Sequence, residues 1–214
     1  MKIILGNKNY SSWSLRPWLL MQHFGLDFSE QHISLYSQDI RQQMQGLCPN
    51  YKVPVLVDQG ISIWDSLAIC EYLNEQYLEG AGWPRDPLQR AKARSMCNEM
   101  HSGFFAVREE MPMNCRREIS SITLSAGAQA DISRIVEIFN QCLAANKQQG
   151  GFLFDEFSIA DAFFMPIVSR FNSYNIETGQ PVAQYLQKML ALPAYQTWLS
   201  AAKAETQVIE VAEV

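Results

Sequence analysis

Residues 52–66 read Lys-Val-Pro-Val-Leu-Val-Asp-Gln-Gly-Ile-Ser-Ile-Trp-Asp-Ser, and this stretch decides the fold. Val53 to Val57 is an apolar run rich in β-branched residues, Asp58-Gln59-Gly60 is a turn, and Ile61 to Trp64 returns as a strand, so a β-hairpin is expected. Asp65-Ser66 then opens a helix whose apolar face is Leu67, Ile69, Cys70, Leu73 and Tyr77. Upstream, Lys2 to Leu5 predicts a short buried strand and Leu15 to Phe24 an amphipathic helix. Phe28 to Leu35 predicts a second strand, and Gln38 to Gln45 a further helix. The resulting order is βαβαββα.

Beyond the last of these helices the composition changes. Glu79 to Pro87 holds two Gly and two Pro in nine residues, a connection rather than an element. The expected division is therefore 1–79, a linker at 80–87, and a helical remainder, 88–214. Asp86-Pro87-Leu88-Gln89 combines an N-cap, a first-turn proline and a capping-box glutamine, opening a long helix that carries Glu99 to Arg108 and breaks at Pro112. A helix over Ala126 to Asn146 ends at Gly150-Gly151. Ser158-Ile-Ala-Asp161 is a second capping box, introducing Ala162 to Phe171, and Pro181 and Pro193 start two more helices.

Composition excludes several classes. Seventeen Lys and Arg against 22 Asp and Glu give a net charge of −5, which disfavours a nucleic-acid surface. Hydrophobic residues at 48% supply a packed core and rule out disorder. The five cysteines are odd in number and scattered, with no Cys-x-x-Cys pair and no cluster with His23, His32 or His101, so neither a disulfide framework nor a metal site is expected. The N-terminal apolar run is too short for a signal peptide, and the longest apolar stretch, Ala162 to Val168, is far below a membrane span. A cytoplasmic protein with no membrane or nucleic-acid partner is the expectation.

Three places could carry chemistry. Tyr10-Ser11-Ser12-Trp13-Ser14 joins the first strand to the first helix; the serines read either as a cap or as hydroxyls beside a helix N-terminus that favours an anion such as a thiolate. Val53-Pro54 reads either as a plain strand-start proline or as a cis bond that turns the Val53 backbone outward to pair with an extended peptide. Asp65-Ser66 reads either as an N-cap or as a head-group site, Ser66 and the helix end holding a carboxylate and Asp65 an ammonium.

Taken in order, the Ser-Ser-x-Ser-x-Arg turn, Lys-Val-Pro-Val-Leu, the Asp-Ser helix start and Ser-Ile-Ala-Asp resemble the glutathione S-transferase superfamily over nearly the whole chain. Ser11-Ser12-Trp13-Ser14-Leu15-Arg16 is closest to the Ser-Ser-Cys-Ser-x-Arg turn of the zeta class. Many bacterial transferases of unassigned class look still more similar, with Ser-Ser-Trp-Ser-Leu-Arg-Pro-Trp and the Glu99 to Phe104 segment. The resemblance implies an α/β thioredoxin-like N-terminal domain, an all-α C-terminal domain, glutathione as cosubstrate, no metal, and a homodimer active in detoxification. It implies Ser11 as the donor to the glutathione sulfur, with Ser12 as its rival. Lys52, Val53, Pro54, Asp65 and Ser66 would bind glutathione. Trp13, Arg16, His101 and Arg108 would border the pocket for a small hydrophobic electrophile.

Trp13 stands where the zeta-class turn has its cysteine, so chemistry that depends on that thiol is not expected. Trp18 stands where a second arginine often lies. Cys48 reads as an inert buried thiol or a redox sensor, and Arg116-Arg117 as solvated charge. The expected activity is glutathione transfer or glutathione-dependent isomerisation. A noncatalytic binding module of the same fold is the alternative, and a thiol-disulfide reductase is a third, opposed by the absence of cysteine at the first helix.

Overall fold

The computed structural model describes residues 1–146 and 151–214. Four strands, β1 (Lys2–Leu5), β2 (Ser29–His32), β3 (Val55–Asp58) and β4 (Ile61–Trp64), form one sheet in the order β2-β1-β3-β4. β1 runs parallel to β2 and antiparallel to β3, and β3 and β4 make the hairpin expected around Gly60. The period-2 alternation of β1 assigns its faces. Ile3 and Leu5 enter the main core, whereas Ile4 and Val55 pack with Ile33, Met44 and Cys48 on the opposite face.

α1 (Ser12–His23) and α3 (Ser66–Gln76) cover the first face. α1 begins three residues before the apolar stripe because the serine turn itself caps it. α2 is only Ile40–Gln43, shorter than expected, and buries no residue fully. β2 is likewise confined to four residues.

The remaining chain forms α4 (Pro87–Ser102), α5 (Phe105–Glu110), α6 (Ala126–Leu143), α7 (Ile159–Ser173), α8 (Val182–Leu190) and α9 (Pro193–Ala204), then a 3-10 turn at Glu210–Ala212. α7 is buried on nearly every side and packs on α1 and α4, so it joins the two halves of the molecule. Its capping box is formed: the Asp161 carboxylate accepts from the Ser158 amide and hydroxyl, the Leu153 amide and the Tyr185 hydroxyl.

Two expectations about helices are corrected. The long helix after the linker ends at Ser102, not Pro112: Gly103 is extended and Phe104 is left-handed at φ 59°. A Cβ on Gly103 would lie 2.9 Å from the Glu99 carbonyl oxygen, so the close approach of that oxygen requires glycine. His101 and Arg108 therefore sit on different helices rather than on one face of a single helix. The helix expected to reach Asn146 stops at Leu143, and the Gly150 of its expected stop lies outside the described residues.

Candidate active site

Two adjoining cavities open where the serine turn, the β3 entry and the α3 start meet the helical half. The smaller, about 280 Å³, is lined by Lys52, Val53, Pro54, Asp65, Ser66 and His101, with Trp13 as a wall. Every residue expected to hold glutathione is among them. The larger, about 790 Å³, is lined by Ser11, Ser12, Arg108 and Arg170 and shares Trp13, Lys52 and Val53 with the first.

The two serines differ. Ser11 is the N-cap of α1; its Oγ accepts from the Ser14 amide at 3.4 Å and pairs with Ser14 Oγ at 2.7 Å, which in turn accepts from the Gly6 amide. Ser12 is the first helical residue, and among the described residues its hydroxyl has no partner. The Trp13 amide beside it also has no acceptor among the described residues. A free hydroxyl and a free amide at the positive end of a 12-residue helix are anion donors.

Val53-Pro54 is cis, and the Val53 backbone is unpaired among the described residues, since β3 begins at Val55. Asp65 is the N-cap of α3, with φ 76°; its Oδ1 accepts from the Leu67 and Ala68 amides. Its Oδ2 lies 3.1 Å from His101 Nε2 across from α4. Burial lowers the His101 pKa, Asp65 opposes this, and Arg16 and Arg108 add to it. An ammonium at Asp65 would share Oδ2 with the His101 imidazole.

Arg16 lines neither cavity. It is wholly buried, its guanidinium stacked between Trp13 at 4.2 Å and Phe163 at 4.6 Å. Nη1 donates to Ser66 Oγ at 3.4 Å, while Nε and Nη2 have no partner. Burial, reinforced by the charge of Arg108, pushes its pKa down to about 9. A donor on Ser66 Oγ leaves the Ser66 O–H free to point into the smaller cavity.

Arg108 reaches the site from α5. It lies over Trp13 at 5.0 Å, and donates to the Gly103 carbonyl at 3.0 Å and to that of Met100. Arg170, unforeseen in the sequence, is fully buried on α7, with donors to the Met111 and Pro166 carbonyls. Burial and then Arg108 push its pKa down to about 9. Among the described residues neither arginine has a carboxylate within ion-pair distance, although Asp131 acts on Arg108 from further off and Glu109 also lines the larger cavity. The signal for Arg170 was a single charged residue in the stretch Ala162 to Phe171, whose only other polar residue is Ser169. Arg116 is not solvated: it ties residues 205–213 to Tyr10.

All five cysteines are buried, and neither cavity is lined by one. The described residues contain no His, Cys, Asp or Glu cluster able to hold a metal, and no helix long and apolar enough to cross a membrane.

Comparison with known proteins agrees with this geometry. Residues 10–76 match the family described as glutathione S-transferase, N-terminal domain. A probable maleylacetoacetate isomerase of Caenorhabditis elegans is 27% identical over 188 residues, covering 86% of each chain. Maleylacetoacetate isomerase of Rattus norvegicus is 29% identical over 192 residues, 86% of this chain and 85% of that one. Among solved structures, a bacterial zeta-class maleyl pyruvate isomerase superposes with a TM-score of 0.74 at 19% identity, covering 97% of this chain and all of that one. A glutathione transferase homologue from Burkholderia with bound glutathione gives 0.73 at 22% identity, covering 95% and 98%. Residues 10–76 thus match a glutathione S-transferase N-terminal domain, and over most of its length the chain is similar to maleylacetoacetate isomerases and shares the fold of a zeta-class glutathione transferase.

Proposed function

We propose that this protein is a glutathione-dependent enzyme, a transferase or isomerase, acting on a small electrophile that carries a carboxylate. The observation that carries this reading is the pair of adjoining cavities, one lined by Lys52, Val53, Pro54, Asp65 and Ser66 and the other by Ser11, Ser12, Arg108 and Arg170. In the smaller cavity the Val53 backbone pairs with the cysteinyl unit and Ser66 with the γ-glutamyl carboxylate. Asp65 takes the ammonium, and Lys52 reaches the glycyl carboxylate. Residues 1–79 serve as the glutathione-binding unit, 80–87 as the linker, and 88–214 as the unit that completes the electrophile pocket.

Glutathione supplies the nucleophilic thiol. Its pKa of about 8.5 must fall by ~2 units, or ~3 kcal/mol, for the thiolate to dominate near pH 7. A helix N-terminus contributes up to ~2 kcal/mol and a hydrogen bond to a charged sulfur about 1.5 or more, so the start of α1 suffices without a general base. Ser12, with its uncommitted hydroxyl, is the donor, and Ser11 fixes the turn through Ser14. The sulfur lone pair forms a bond to the electrophilic carbon; either a leaving group departs with its bonding pair, or reversible addition permits rotation before the sulfur is expelled. Arg108 and Arg170 hold the carboxylate and accept developing negative charge. With Trp13 in place of cysteine at the third position of the turn, no protein thiol takes part.

Kinetics test the assignment. Ser12→Ala should lower kcat about 100-fold with little change in glutathione affinity, and Ser11→Ala should cost less. Arg108→Ala should raise KM for a carboxylate-bearing electrophile at least about tenfold while sparing a neutral aromatic one. Equal effects on both electrophiles would remove the anionic specificity. Binding of glutathione without turnover of either class would favour the noncatalytic module.

We further infer a cytoplasmic homodimer. Ile61 and Trp64 on the edge strand β4, together with Leu88 and Phe105, expose apolar surface suited to a second copy. Sedimentation at micromolar concentration giving only a 24.4 kDa species would contradict it.

A further inference from the structure

His101 stands apart from the electrophile pocket that the sequence resemblance assigned it to. It lines the smaller cavity with Asp65 and Ser66 and takes no part in lining the larger, so its neighbours are the groups that receive glutathione. As the penultimate residue of α4 it is held on several sides. Its ring meets Trp13 of α1 edge-on at 5.0 Å and stacks toward Phe163 of α7 at 6.3 Å. Arg108 donates to the carbonyls of Met100 and Gly103, which fixes the chain on either side of it.

The one polar contact of this ring crosses to the other half of the molecule. Nε2 lies 3.1 Å from Asp65 Oδ2 at the start of α3, whereas Nδ1 is buried with no partner among the described residues. A carboxylate only accepts, so Nε2 carries the hydrogen of the bridge. Asp65 has use for this second hold. The Leu67 and Ala68 amides both bond Oδ1, at 2.8 and 3.2 Å, which leaves Oδ2 to a side chain that is 42% exposed. His101 occupies one of the two lone pairs of Oδ2 and leaves the other for a ligand.

We propose that His101 is a positioning residue for the amino group of glutathione: it fixes Asp65 Oδ2 from the α4 side, so that the ammonium meets an acceptor already in place. The inference rests on reading the smaller cavity as the glutathione site and extends that site from the first half of the chain into the helical half. An acceptor fixed before binding spares the ligand the cost of ordering it, and the gain goes only to a ligand that has a donor at that point. His101 thereby selects for a free amino group on the γ-glutamyl unit.

Calorimetry on the full chain tests this with two ligands, glutathione and its glutaryl analogue, in which hydrogen replaces the amino group while the thiol and both carboxylates remain. Wild type should bind glutathione at least about tenfold more tightly than the analogue. His101→Phe keeps a ring beside Trp13 and Phe163 but has no donor; it should lose about fivefold or more for glutathione and less than about twofold for the analogue. His101→Gln, whose amide nitrogen can take the place of Nε2, should recover most of that loss. In turnover His101→Phe should raise KM for glutathione and leave kcat unchanged, as expected for a group that orders the bound ligand and not the reacting sulfur. A His101→Phe variant that binds glutathione as tightly as wild type, one that loses equally for both ligands, or a His101→Gln variant no better than His101→Phe would overturn the role of His101 while leaving the glutathione reading intact. A wild type that does not distinguish the two ligands, or binds neither, would overturn the reading of Asp65 as the ammonium acceptor and His101 with it.

Discussion

Arg16 is the residue with the least evident structural reward. Its guanidinium is fully buried, makes one 3.4 Å hydrogen bond, leaves two nitrogens unpaired and shares its surroundings with the like charge of Arg108. Breaking an ion pair by removing one partner destabilises a fold, whereas exchanging an uncompensated buried charge for an apolar side chain of similar volume does not. Arg16→Met should therefore leave the denaturant midpoint unchanged or raise it, by up to about 3 kcal/mol of stability. Glutathione affinity should fall together with that gain, because Ser66 loses the donor that turns its O–H into the smaller cavity. A loss of more than about 2 kcal/mol would mean that the guanidinium holds the fold together. At this scale the sequence was readable where a side chain acts locally, as Asp65 does in capping α3. It was not readable where the role depends on a distant partner: nothing next to Arg116 in sequence reveals Tyr10 as its acceptor.

At the scale of elements, α7 is the member that both halves share. Four donors converge on Asp161, and burial nonetheless raises its carboxyl to about 6. Asp161→Ala would leave the Ser158 and Leu153 amides and the Tyr185 hydroxyl without their acceptor in the interior. The expected loss is about 3 kcal/mol or more, read by chemical denaturation, and a cost below about 1 kcal/mol would contradict the arrangement. This capping box was legible, as were the β3-β4 hairpin and the α3 start, because turn and cap chemistry is local. The break between α4 and α5 was not. A phenylalanine in the left-handed region is imposed by tertiary docking that outweighs its own preference, and that break brings Arg108 to Trp13. The segment after α9 has neither periodicity nor turn signal, so its place over the cavity could come only from the fold.

Across the whole molecule, β2, α1 and α9 meet at one buried charge pair. Lys8 Nζ lies 2.7 Å from Glu30 and over the rings of Trp18 and Trp198. Burial alone would raise the Glu30 carboxyl, but donors from His32, Lys8 and Trp18 outweigh it and hold the group down at about 2. A carboxyl depressed on folding contributes stability that is present above its unfolded value near 4.5 and disappears as pH falls toward 2. Thermal melts of wild type should therefore fall across that window, while Glu30→Gln, already weakened at pH 7, should show a flatter profile; parallel profiles would contradict the assignment. In the proposed function a net charge of −5 is compatible with an anionic cosubstrate, since the attraction would come from helix ends, Lys52 and buried arginines rather than from the overall field. The central claim is that the start of α1, with Ser12, ionises a bound thiol, and ultraviolet titration of the thiolate in the glutathione complex measures this directly. The bound thiol should titrate about 2 units below its free value of about 8.5 in wild type and rise by about 1 unit in Ser12→Ala. A bound thiol that titrates as the free one does, or one that the substitution leaves unmoved, would contradict it.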